Sequence, residues 1–456
     1  MRGKRWPPKY AYLGLEAYSL ALPRGATSGL FPRLVFMNTR KSKFKKKVKI
    51  AIFHCGFVYS GGGERIVLEE ARELRKRGYE VVVYAPTIDK KLCYPGMLGE
   101  LGVETFLPSF TEKLPYRDAL RMAVSSLLAP ILAINFRDVD LFLGANQPGA
   151  WIAFCMAVVL RKPYIVYLNQ PNRLIYPRKI DYRTGWQTRR DYYLLAKIIK
   201  KIKPLVAWAD RISLTSGKAM LVNGDYIAAA IKKIYQKPVV VCSGGAHPKA
   251  FATLRLNPRS AFSGEFKIKG RRIKKPYILV ANRHEPQKKF EYVIKAMRQV
   301  LGKISGASLI IPGPFTPITG ELINLSKRLK IYQKVLFLRQ VSEEDLQKLY
   351  REAAVHCYPA PDEDFGLGPL EAGAWGVPTV AWNHGGPTAT VKHGKTGYLA
   401  EPYKVDDYAE GIIMFLSNPK RRAEMGKAAW ENVKRNFSWK KHLDILENEI
   451  KKALKT

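Results

Sequence analysis

The sequence predicts an α/β protein with two doubly wound domains in tandem, and three observations support this fold class. Short, β-rich apolar runs alternate with longer segments of helical periodicity along most of the chain. A polar stretch at 257–272 interrupts the alternation, which then begins again. The chain has 456 residues, 47% of them hydrophobic, which is enough for two or three ordinary domains with full cores.

The first domain is predicted to begin at Val48 with the strand "VKIAIF". The loop "HCGFVYSGG" follows, and then a helix in which Val67, Ala71 and Leu74 recur at helical spacing until Gly78 ends it. The next strand, "EVVVYAP", completes a strand–loop–helix–strand unit, which indicates a parallel sheet. Four later runs are also predicted to be buried strands: "DLFLGA", "YIVYLNQ", "RISLTS" and "PVVVCSGG".

The second domain repeats this alternation. Its predicted strands are "YILVANR", "SLIIPG", "VLFLRQ", "VHCYPAP" and "PTVAW", and its predicted helices are "FEYVIKAMRQVLGKI", "GELINLSKRLKIY", "SEEDLQKLYREA" and "PLEAGAWG". In sheets of this kind, ligands bind beyond the carboxyl ends of the strands. We therefore expect the site to lie in a cleft between the two domains.

The N-terminal 47 residues hold twelve Lys or Arg and one acidic residue without periodicity, so a flexible basic extension is predicted. Met37 is an alternative start of the chain. The predicted organisation has five parts: the extension at 1–47, the first domain at 48–256, a linker at 257–272, the second domain at 273–430, and a C-terminal helix at 431–456 that packs back on the first domain.

The net charge and the cysteine content limit the kinds of partner and the cellular compartment that fit this chain. A net charge of +39 indicates a polyanionic partner such as an acidic membrane face or a phosphorylated substrate, although a high Lys content is also typical of thermophilic proteins. No nucleic-acid-binding motif is present. Five scattered cysteines without a C-x-x-C pair indicate a reducing, cytoplasmic location. No uninterrupted apolar run reaches about 18 residues, and the runs at 122–134 and 150–160 are predicted to be buried core elements.

The first glycine-rich loop, "SGGGERI", differs from a dinucleotide-binding fingerprint in two ways. Ile66 occupies the place of the third glycine, and the second strand ends in "YAP" without an acidic residue that could hold a ribose. Binding of NAD is therefore not expected. The glycines still allow the backbone to approach a ligand at a helix N-terminus, or they form a tight turn that needs no ligand.

The segment "PDEDFGLGPLEAGAWG" places two glutamates around the start of a predicted helix. Glu363 precedes Gly366 and Gly368, Pro369 suits the first helical position, and Glu371 falls in the first turn. A helix N-terminus attracts anions, whereas the flanking carboxylates suit hydroxyl groups, so the predicted ligand is a phosphate joined to polyols. Two alternatives are a solvated loop and a metal-binding D-x-D.

Cations are predicted at the same sheet edge. Arg283 ends the first strand of the second domain in "ANRHEPQKKFEYVI", and Lys288 follows before the next helix. A guanidinium and an ammonium together suit a diphosphate. The alternative, in so basic a chain, is that Arg283 and Lys288 are solvated charges of a loop that binds no ligand.

Together these motifs resemble family 4 of the retaining glycosyltransferases, which have the GT-B fold. "EDFGLGPLE" is similar to the family's Glu-x7-Glu signature, "NRHEPQK" to its Arg-x5-Lys phosphate clamp, and "SGGGERIVLEEARELRKRGYEV" to its first loop and helix. The resemblance covers roughly residues 48–451 and extends to the α-mannosyltransferases that elongate lipid-linked oligosaccharides.

The resemblance implies a hexosyltransferase that uses a nucleotide diphosphate sugar, a glycan or lipid-linked acceptor, and no metal or other cofactor. It implies that Arg283 and Lys288 neutralise the diphosphate, that Glu363 contacts the transferred sugar, and that Glu371 holds the ribose. Glu363, Arg283 and Lys288 are the implied catalytic residues. The other implied donor-binding residues are Gly62, Gly63, Phe365, Gly366, Leu367 and Gly368.

One position departs from the family pattern. Many members have a histidine after the strand that matches "YIVYLNQP", where this chain has Asn169 followed by Gln170. Both are predicted on the acceptor side. An amide can bind a sugar hydroxyl but cannot carry a proton, so the identity of the donor sugar and the activity itself stay open at this point.

The segment 172–204 interleaves basic and aromatic residues. Leu195, Ile198, Ile199 and Ile202 form an apolar stripe opposite four lysines, which is typical of a helix that docks on an anionic membrane or of one that packs on its own domain. Peripheral association with the cytoplasmic face of a membrane is the prediction. Two rival functions are a nucleotide-sugar epimerase and a non-catalytic protein that binds polyanions or membranes.

Overall fold

The computed structural model describes residues 47–105, 107–113, 117–185, 197, 200–246, 261–339 and 341–455. The predicted basic extension, apart from Lys47, lies outside these residues, and so does the alternative start at Met37. Most of the predicted amphipathic stripe at 195–202 lies outside them as well; Ile202 is described and is exposed. The described residues between 47 and 455 belong to one compact unit.

The first domain contains a six-stranded, all-parallel sheet. Its strand order is β2-β1-β3-β4-β5-β6, so the chain crosses over between β2 and β3. In-register pairing of Ile50 with Val81 and with Leu141 places β1 between β2 and β3. The strands are β1 (Lys49–His54), β2 (Glu80–Tyr84), β3 (Leu141–Ala145), β4 (Tyr164–Leu168), β5 (Met220–Val222) and β6 (Val240–Val241).

Helices cover both faces of this sheet. They are α1 (Gly62–Lys76), α2 (Pro95–Leu101), α3 (Arg117–Leu132), α4 (Gly149–Leu160), α5 (Lys179–Arg183), α6 (Lys203–Thr215) and α7 (Asp225–Tyr235). Because successive side chains of a strand point to opposite faces, Ile50 and Ile52 pack with α1, whereas Ala51 and Phe53 pack with α4. Gly78, at a φ of 94°, ends α1 in the left-handed region that glycine favours.

The second domain repeats the architecture with the strand order β11-β10-β9-β12-β13-β14, again all parallel. The strands are β9 (Tyr277–Leu279), β10 (Ser308–Pro312), β11 (Val335–Leu338), β12 (Val355–Tyr358), β13 (Thr379–Trp382) and β14 (Gly397–Ala400). The helices are α8 (Phe290–Lys303), α9 (Pro317–Arg328), α10 (Glu343–Glu352), α11 (Leu367–Ala374), α12 (Pro387–Thr390), α13 (Val405–Ser417) and α14 (Pro419–Asn436). The predicted α/β class with two parallel-sheet domains is confirmed.

Three local predictions were wrong. "RISLTS" is the end of helix α6 and not a strand, and the strand of that region is the short β5 that follows it. The region 257–272, predicted to be a linker, contains strand β7 (Glu265–Ile268) and the start of β8 (Arg271–Lys274), which pair as an antiparallel hairpin. The apolar run at 122–134, predicted to be a core element, is largely exposed, with Leu127 at 77% and Ile131 at 71%. A short apolar run does not distinguish these states, because long-range packing decides among them.

The last helix, α15 (Trp439–Lys455), lies against the first domain. Helix α14 crosses position 430 and packs on α11, and the chain then returns so that Leu443, Leu446 and Ile450 join the core around α1. Arg77 donates to Glu447 over 2.6 Å at the rim of this contact.

A buried polar cluster completes the docking of α15. His442 Nε2 lies 3.0 Å from Glu70 Oε1, and its Nδ1 lies 3.4 Å from Cys242 Sγ. All three side chains are almost wholly buried. Burial opposes protonation of the imidazole, but Cys242 and Glu70 outweigh it and raise the pKa of His442 to about 10.

Candidate active site

A cleft of about 890 Å³ lies between the carboxyl ends of the two sheets and is lined by both domains. Its position is the one that parallel sheets favour for ligands, because loops from several strands converge there. Every residue predicted to bind the donor or to lie on the acceptor side lines this cleft: Gly62, Gly63, Asn169, Gln170, Arg283, Lys288, Glu363, Phe365, Gly366, Leu367, Gly368 and Glu371.

The loop after β12 carries the two predicted glutamates into the cleft. Gly366 adopts a φ of 86° as the residue before α11, a conformation that favours glycine. The helix begins at Leu367, so Pro369 is its third residue. The prediction that Pro369 is the first helical residue was therefore wrong. A Cβ on Gly368 would lie 3.0 Å from the Tyr358 ring, so this glycine allows the loop to pack closely over β12.

Lys288 and Glu363 form an ion pair on the second-domain wall. The Lys288 ammonium donates to Glu363 Oε2 over 2.5 Å, and both side chains are largely buried. Burial alone would raise the pKa of Glu363, but Lys288 and Arg178 outweigh it and hold the pKa below its usual value. Glu363 is therefore an ionised hydrogen-bond acceptor in the cleft.

Arg283 is held by the first domain. Its guanidinium lies 3.8 Å from the centroid of the Tyr59 ring, a cation–π contact, and the Glu64 carboxylate is near enough to interact with it. Burial raises the pKa of Glu64 to about 7, with Arg283 opposing the shift. The Arg283 guanidinium, which is predicted to bind the diphosphate, therefore interacts with a carboxyl group that titrates near neutral pH.

Glu371 is bound by an arginine from the other domain. Arg65, in the first turn of α1, donates to Glu371 Oε1 over 2.6 Å and to Glu343 Oε1 over 3.1 Å. Burial raises the pKa of Glu371 to about 7, and the Arg65 guanidinium opposes that shift. The Glu371 carboxylate, which is predicted to bind a ribose, is thus paired with an arginine on the opposite wall of the cleft.

The aspartates of the D-x-D sequence have partners in the first domain and do not face open solvent. Asp364 accepts from Arg173, and Asp362 Oδ2 accepts from the Ile180 backbone N–H over 3.1 Å. Arg178 donates to the Asp362 carbonyl over 2.7 Å. These contacts place the two carboxylates in the junction between the domains, where each already has a partner.

Comparisons with known proteins bear on this geometry. Residues 60–249 match the family model described as Glycosyltransferase Family 4, and residues 263–432 match Glycosyl transferases group 1. The two models divide the chain as the two sheets do. This chain is a glycosyltransferase. Its fold is GT-B, and the recognition made from the sequence motifs is confirmed.

The glycosyltransferase has relatives along most of its length. It is 26% identical over 413 residues to the human alpha-1,3/1,6-mannosyltransferase ALG2, covering 86% of this chain and 94% of the human protein. Among solved structures, the sucrose-phosphate synthase of Thermosynechococcus elongatus superposes with a TM-score of 0.66 at 19% identity, covering 89% of this chain and 99% of that one. A glycosyltransferase from Rickettsia africae ESF-5 superposes with a TM-score of 0.65 at 18% identity, covering 90% and 99%. These two structures support the fold alone.

Several residues that line the cleft of the glycosyltransferase were not predicted from the sequence. Tyr59, Glu64 and Arg65 adjoin the glycine-rich loop, so their position in "YSGGGER" was a usable signal. His54 ends β1 in the cleft, where burial lowers the pKa of its imidazole to about 4, so the ring is neutral. Arg173 donates to both Asp181 and Asp364 and joins the domains, and no local pattern indicated that role.

The glycine-rich loop of the glycosyltransferase contacts both walls of the cleft. A Cβ on Gly62 would lie 3.0 Å from Leu367 of the second domain, and a Cβ on Gly63 would lie 3.2 Å from Asn169 Nδ2. The absence of a side chain at Gly62 lets the two domains approach closely at the predicted donor site, and its absence at Gly63 lets the loop approach Asn169 of the same domain. Gln170, beside Asn169, accepts from Arg173 over 2.5 Å.

Proposed function

We propose that this glycosyltransferase is a retaining enzyme that moves a hexose from a nucleoside diphosphate sugar to a glycan or lipid-linked acceptor. The observation that supports it most directly is the arrangement around α11. Arg283 and Lys288 adjoin a loop whose two glutamates, Glu363 and Glu371, flank the N-terminus of this helix in one cleft. Cations suit the diphosphate, and the carboxylates suit the hydroxyls on either side of it.

In the proposed reaction, the bond between the sugar C1 and the diphosphate oxygen breaks, and a bond from the acceptor oxygen to C1 forms on the same face. Negative charge develops on the leaving diphosphate. Arg283 and Lys288 stabilise that charge, and because they are pre-positioned in a largely buried cleft, their contribution exceeds what they would give in water. The acceptor proton leaves with the departing phosphate oxygen.

The glutamates bind in this proposal and do not attack. Glu363 is ionised beside Lys288, so it can accept hydrogen bonds from hydroxyls of the transferred sugar. Glu371 accepts hydrogen bonds from the ribose after Arg65 releases it. Main-chain N–H groups of Phe365, Gly366, Leu367 and Gly368 complete the donor site.

We propose that no metal is needed. Arg283, Lys288 and the helix N-terminus can supply the positive charge that a divalent cation supplies elsewhere. Asp362 and Asp364, the candidate metal ligands, are engaged by Arg173, Arg178 and a backbone N–H. Turnover that survives EDTA supports this part of the proposal, and turnover that requires added Mg²⁺ or Mn²⁺ contradicts it.

The proposed donor is GDP-mannose, because the relatives matched over most of the chain are named mannosyltransferases. Thermal unfolding with GDP, UDP and ADP, each compared with its sugar conjugates, tests the nucleotide, since a bound ligand raises the midpoint by mass action. Product analysis then tests the reaction: the glycoside should keep the anomeric configuration of the donor. A response to none of the nucleotides would contradict the proposal. A new nucleotide sugar formed without acceptor would indicate an epimerase.

We further propose that the enzyme docks on the cytoplasmic face of an anionic membrane. Within the described residues, Asp118–Phe136 is long and apolar enough to span a bilayer, yet only 28% of it is buried. Leu127, Ile131 and Ile134 recur at helical spacing and are all more than half exposed. Arg137 and Arg161 are exposed close to the ends of α3 and α4, which pack together, so cations flank this apolar face. The five free cysteines suit the reducing side of a membrane.

A further inference from the structure

A segment of the first domain reaches the second domain after β4. This crossing segment, residues 172–181, runs from the loop after β4 into helix α5 and contacts the loop that follows β12. The contacted loop contains Asp362, Glu363 and Asp364. Glu363, which is proposed to bind the transferred sugar, therefore has on each side an aspartate that the first domain holds.

Arg173 of the crossing segment binds the aspartate that follows Glu363. Its guanidinium donates to Asp364 in the second domain and, over 2.8 Å, to Asp181 in its own domain. All three side chains are buried. Because a buried charge is costly to leave unpaired, a cation between two buried carboxylates holds both of them in place.

The aspartate that precedes Glu363 is bound through its main chain and its side chain. Arg178 donates to the Asp362 carbonyl over 2.7 Å, and Asp362 Oδ2 accepts from the Ile180 backbone N–H over 3.1 Å. Asp362 has a φ of 52°, a left-handed conformation that is uncommon outside glycine. The crossing segment therefore supports an unfavourable main-chain conformation that sets the direction in which the chain enters Glu363.

The second domain holds Glu363 itself. The Gly386 backbone N–H donates to the Glu363 carbonyl over 2.7 Å, and a Cβ on Gly385 would lie 2.8 Å from the same oxygen. The Lys288 ammonium binds the carboxylate. The orientation of Glu363 thus depends on contacts from both domains, its own from the second and those of its neighbours from the first.

We propose that Arg173 and Arg178 are positioning residues, which orient Glu363 towards the transferred sugar by holding the aspartate on either side of it. This inference rests on the proposed function, because it takes Glu363 as a group that binds the sugar. Hydrogen bonds depend steeply on geometry, and a shift of about 1 Å in a group that holds a reacting sugar can lower the rate about 100-fold. The two arginines therefore affect sugar binding and turnover without taking part in nucleotide binding.

A double-mutant cycle tests whether Arg173 acts through Glu363. Calorimetry without acceptor measures binding of GDP-mannose, the proposed donor, and of GDP to wild type, Arg173→Met, Glu363→Ala and the double variant. We expect Arg173→Met to weaken GDP-mannose binding about tenfold when Glu363 is present and less than about twofold when it is absent, because the arginine then has no carboxylate to orient.

Binding of GDP, which lacks the sugar, reports on folding and on the nucleotide site. Its affinity should change less than about threefold in every variant. Should Arg173→Met fail to bind GDP, the more exposed Arg178→Met replaces it in the same cycle, with the same result expected. The matched control is Arg183→Met, since this exposed arginine also contacts the second domain, at the Tyr403 hydroxyl, but lies outside the cleft. It should bind both compounds as wild type does.

Two results would overturn the inference. An equal loss of GDP-mannose affinity with and without Glu363 would show that the arginine acts on the donor directly or through the fold. A parallel loss of GDP and GDP-mannose affinity would show that the crossing segment only holds the domains together. Wild type that binds neither compound would instead contradict the proposed function, on which the inference rests.

Discussion

Arg65 of the first domain donates to Glu371 of the second over 2.6 Å, and both side chains are at least nine-tenths buried. The two residues are 306 positions apart in the chain. This ion pair joins the walls of the cleft at the carboxylate that we assign to the ribose. Under the proposed function, donor binding requires Glu371 to exchange its guanidinium partner for ribose hydroxyls, which would free Arg65 to bind the donor diphosphate.

The first prediction concerns the stability supplied by this pair. Arg65→Met should lower the free energy of unfolding by about 3 kcal/mol, because it leaves the buried Glu371 carboxylate without its cation. Lys76→Met, on the same helix, removes an exposed cation that pairs with Glu73 over 2.6 Å, and should cost less than about 1 kcal/mol. Denaturant unfolding measures both. Equal losses of unfolding free energy in the two variants would show that the Arg65–Glu371 pair stabilises the protein no more than a surface ion pair does.

The second prediction concerns Glu371 itself. Glu371→Ala should weaken binding of a nucleoside diphosphate by about tenfold, because a hydrogen bond from a hydroxyl to a charged acceptor is worth roughly 1.5–3 kcal/mol. It should also abolish the preference for ribose over dideoxyribose in the nucleotide. Glu343→Ala also removes an Arg65 partner, but it should keep that preference. Titration calorimetry with both nucleotides separates the two variants, and a preference that survives Glu371→Ala would remove Glu371 from the ribose site.

The third prediction concerns the diphosphate clamp. Arg283→Lys keeps the charge but loses the planar fork and the stacking on Tyr59. Turnover should fall about 100-fold, with a smaller change in KM, because the loss falls on charge that develops in the transition state. Arg351→Lys is the control, since Arg351 contacts the Trp375 ring outside the cleft. Wild-type turnover in Arg283→Lys would exclude a catalytic role for this guanidinium.

The fourth prediction is a pH dependence of stability from His442. Its folded-state pKa is raised to about 10 from 6.5, so its contribution is complete below about pH 6.5 and is lost as the pH rises through 10. His442→Asn should therefore destabilise the protein strongly at pH 6 and progressively less towards pH 10. Glu70 and Cys242 face the same ring and stay in place in this variant. Asn436→Ala removes an exposed side chain that does not titrate, and it should show no such trend in denaturant unfolding across this range.

The fifth prediction concerns the proposed membrane face. Leu127→Glu with Ile131→Glu should lower partitioning onto phosphatidylserine vesicles by about tenfold or more, because each change removes an exposed apolar side chain from the docking surface. Tyr332→Glu, an exposed substitution in the second domain, should have little effect. Vesicle flotation measures this. Unchanged partitioning of the double variant would place any membrane contact elsewhere.

That these residues line one cleft could be predicted, because parallel sheets dictate where loop residues meet. Arg283 follows β9 and Glu363 follows β12, and β9 and β12 are neighbours in the sheet, so alternating strands and helices suffice to bring the two together. Glycine spacing around Gly366 further indicated a turn into a helix beside an anion site. These inferences rest on local periodicity and on one topological rule.

The partners of those residues could not be predicted in the same way. Arg65 reaches Glu371, Tyr59 stacks on Arg283, and Asn223 bonds to Asn169 only because the two domains and three strands pack in one particular arrangement. Side-chain pairing of this kind depends on distances set by the whole fold, and many residues in a basic chain could have supplied each contact.

The sequence by itself determined the α/β class, the two parallel sheets and the identity of the residues at their carboxyl ends, because hydrophobic periodicity and glycine positions act locally. Only the tertiary structure decided that "RISLTS" ends a helix, that α3 turns Leu127 and Ile131 to solvent, and that the charges of the cleft are paired across the domains. The physical reason is that short apolar runs fit a helix or a strand equally well. Burial and charge pairing then depend on neighbours that lie far away in the chain.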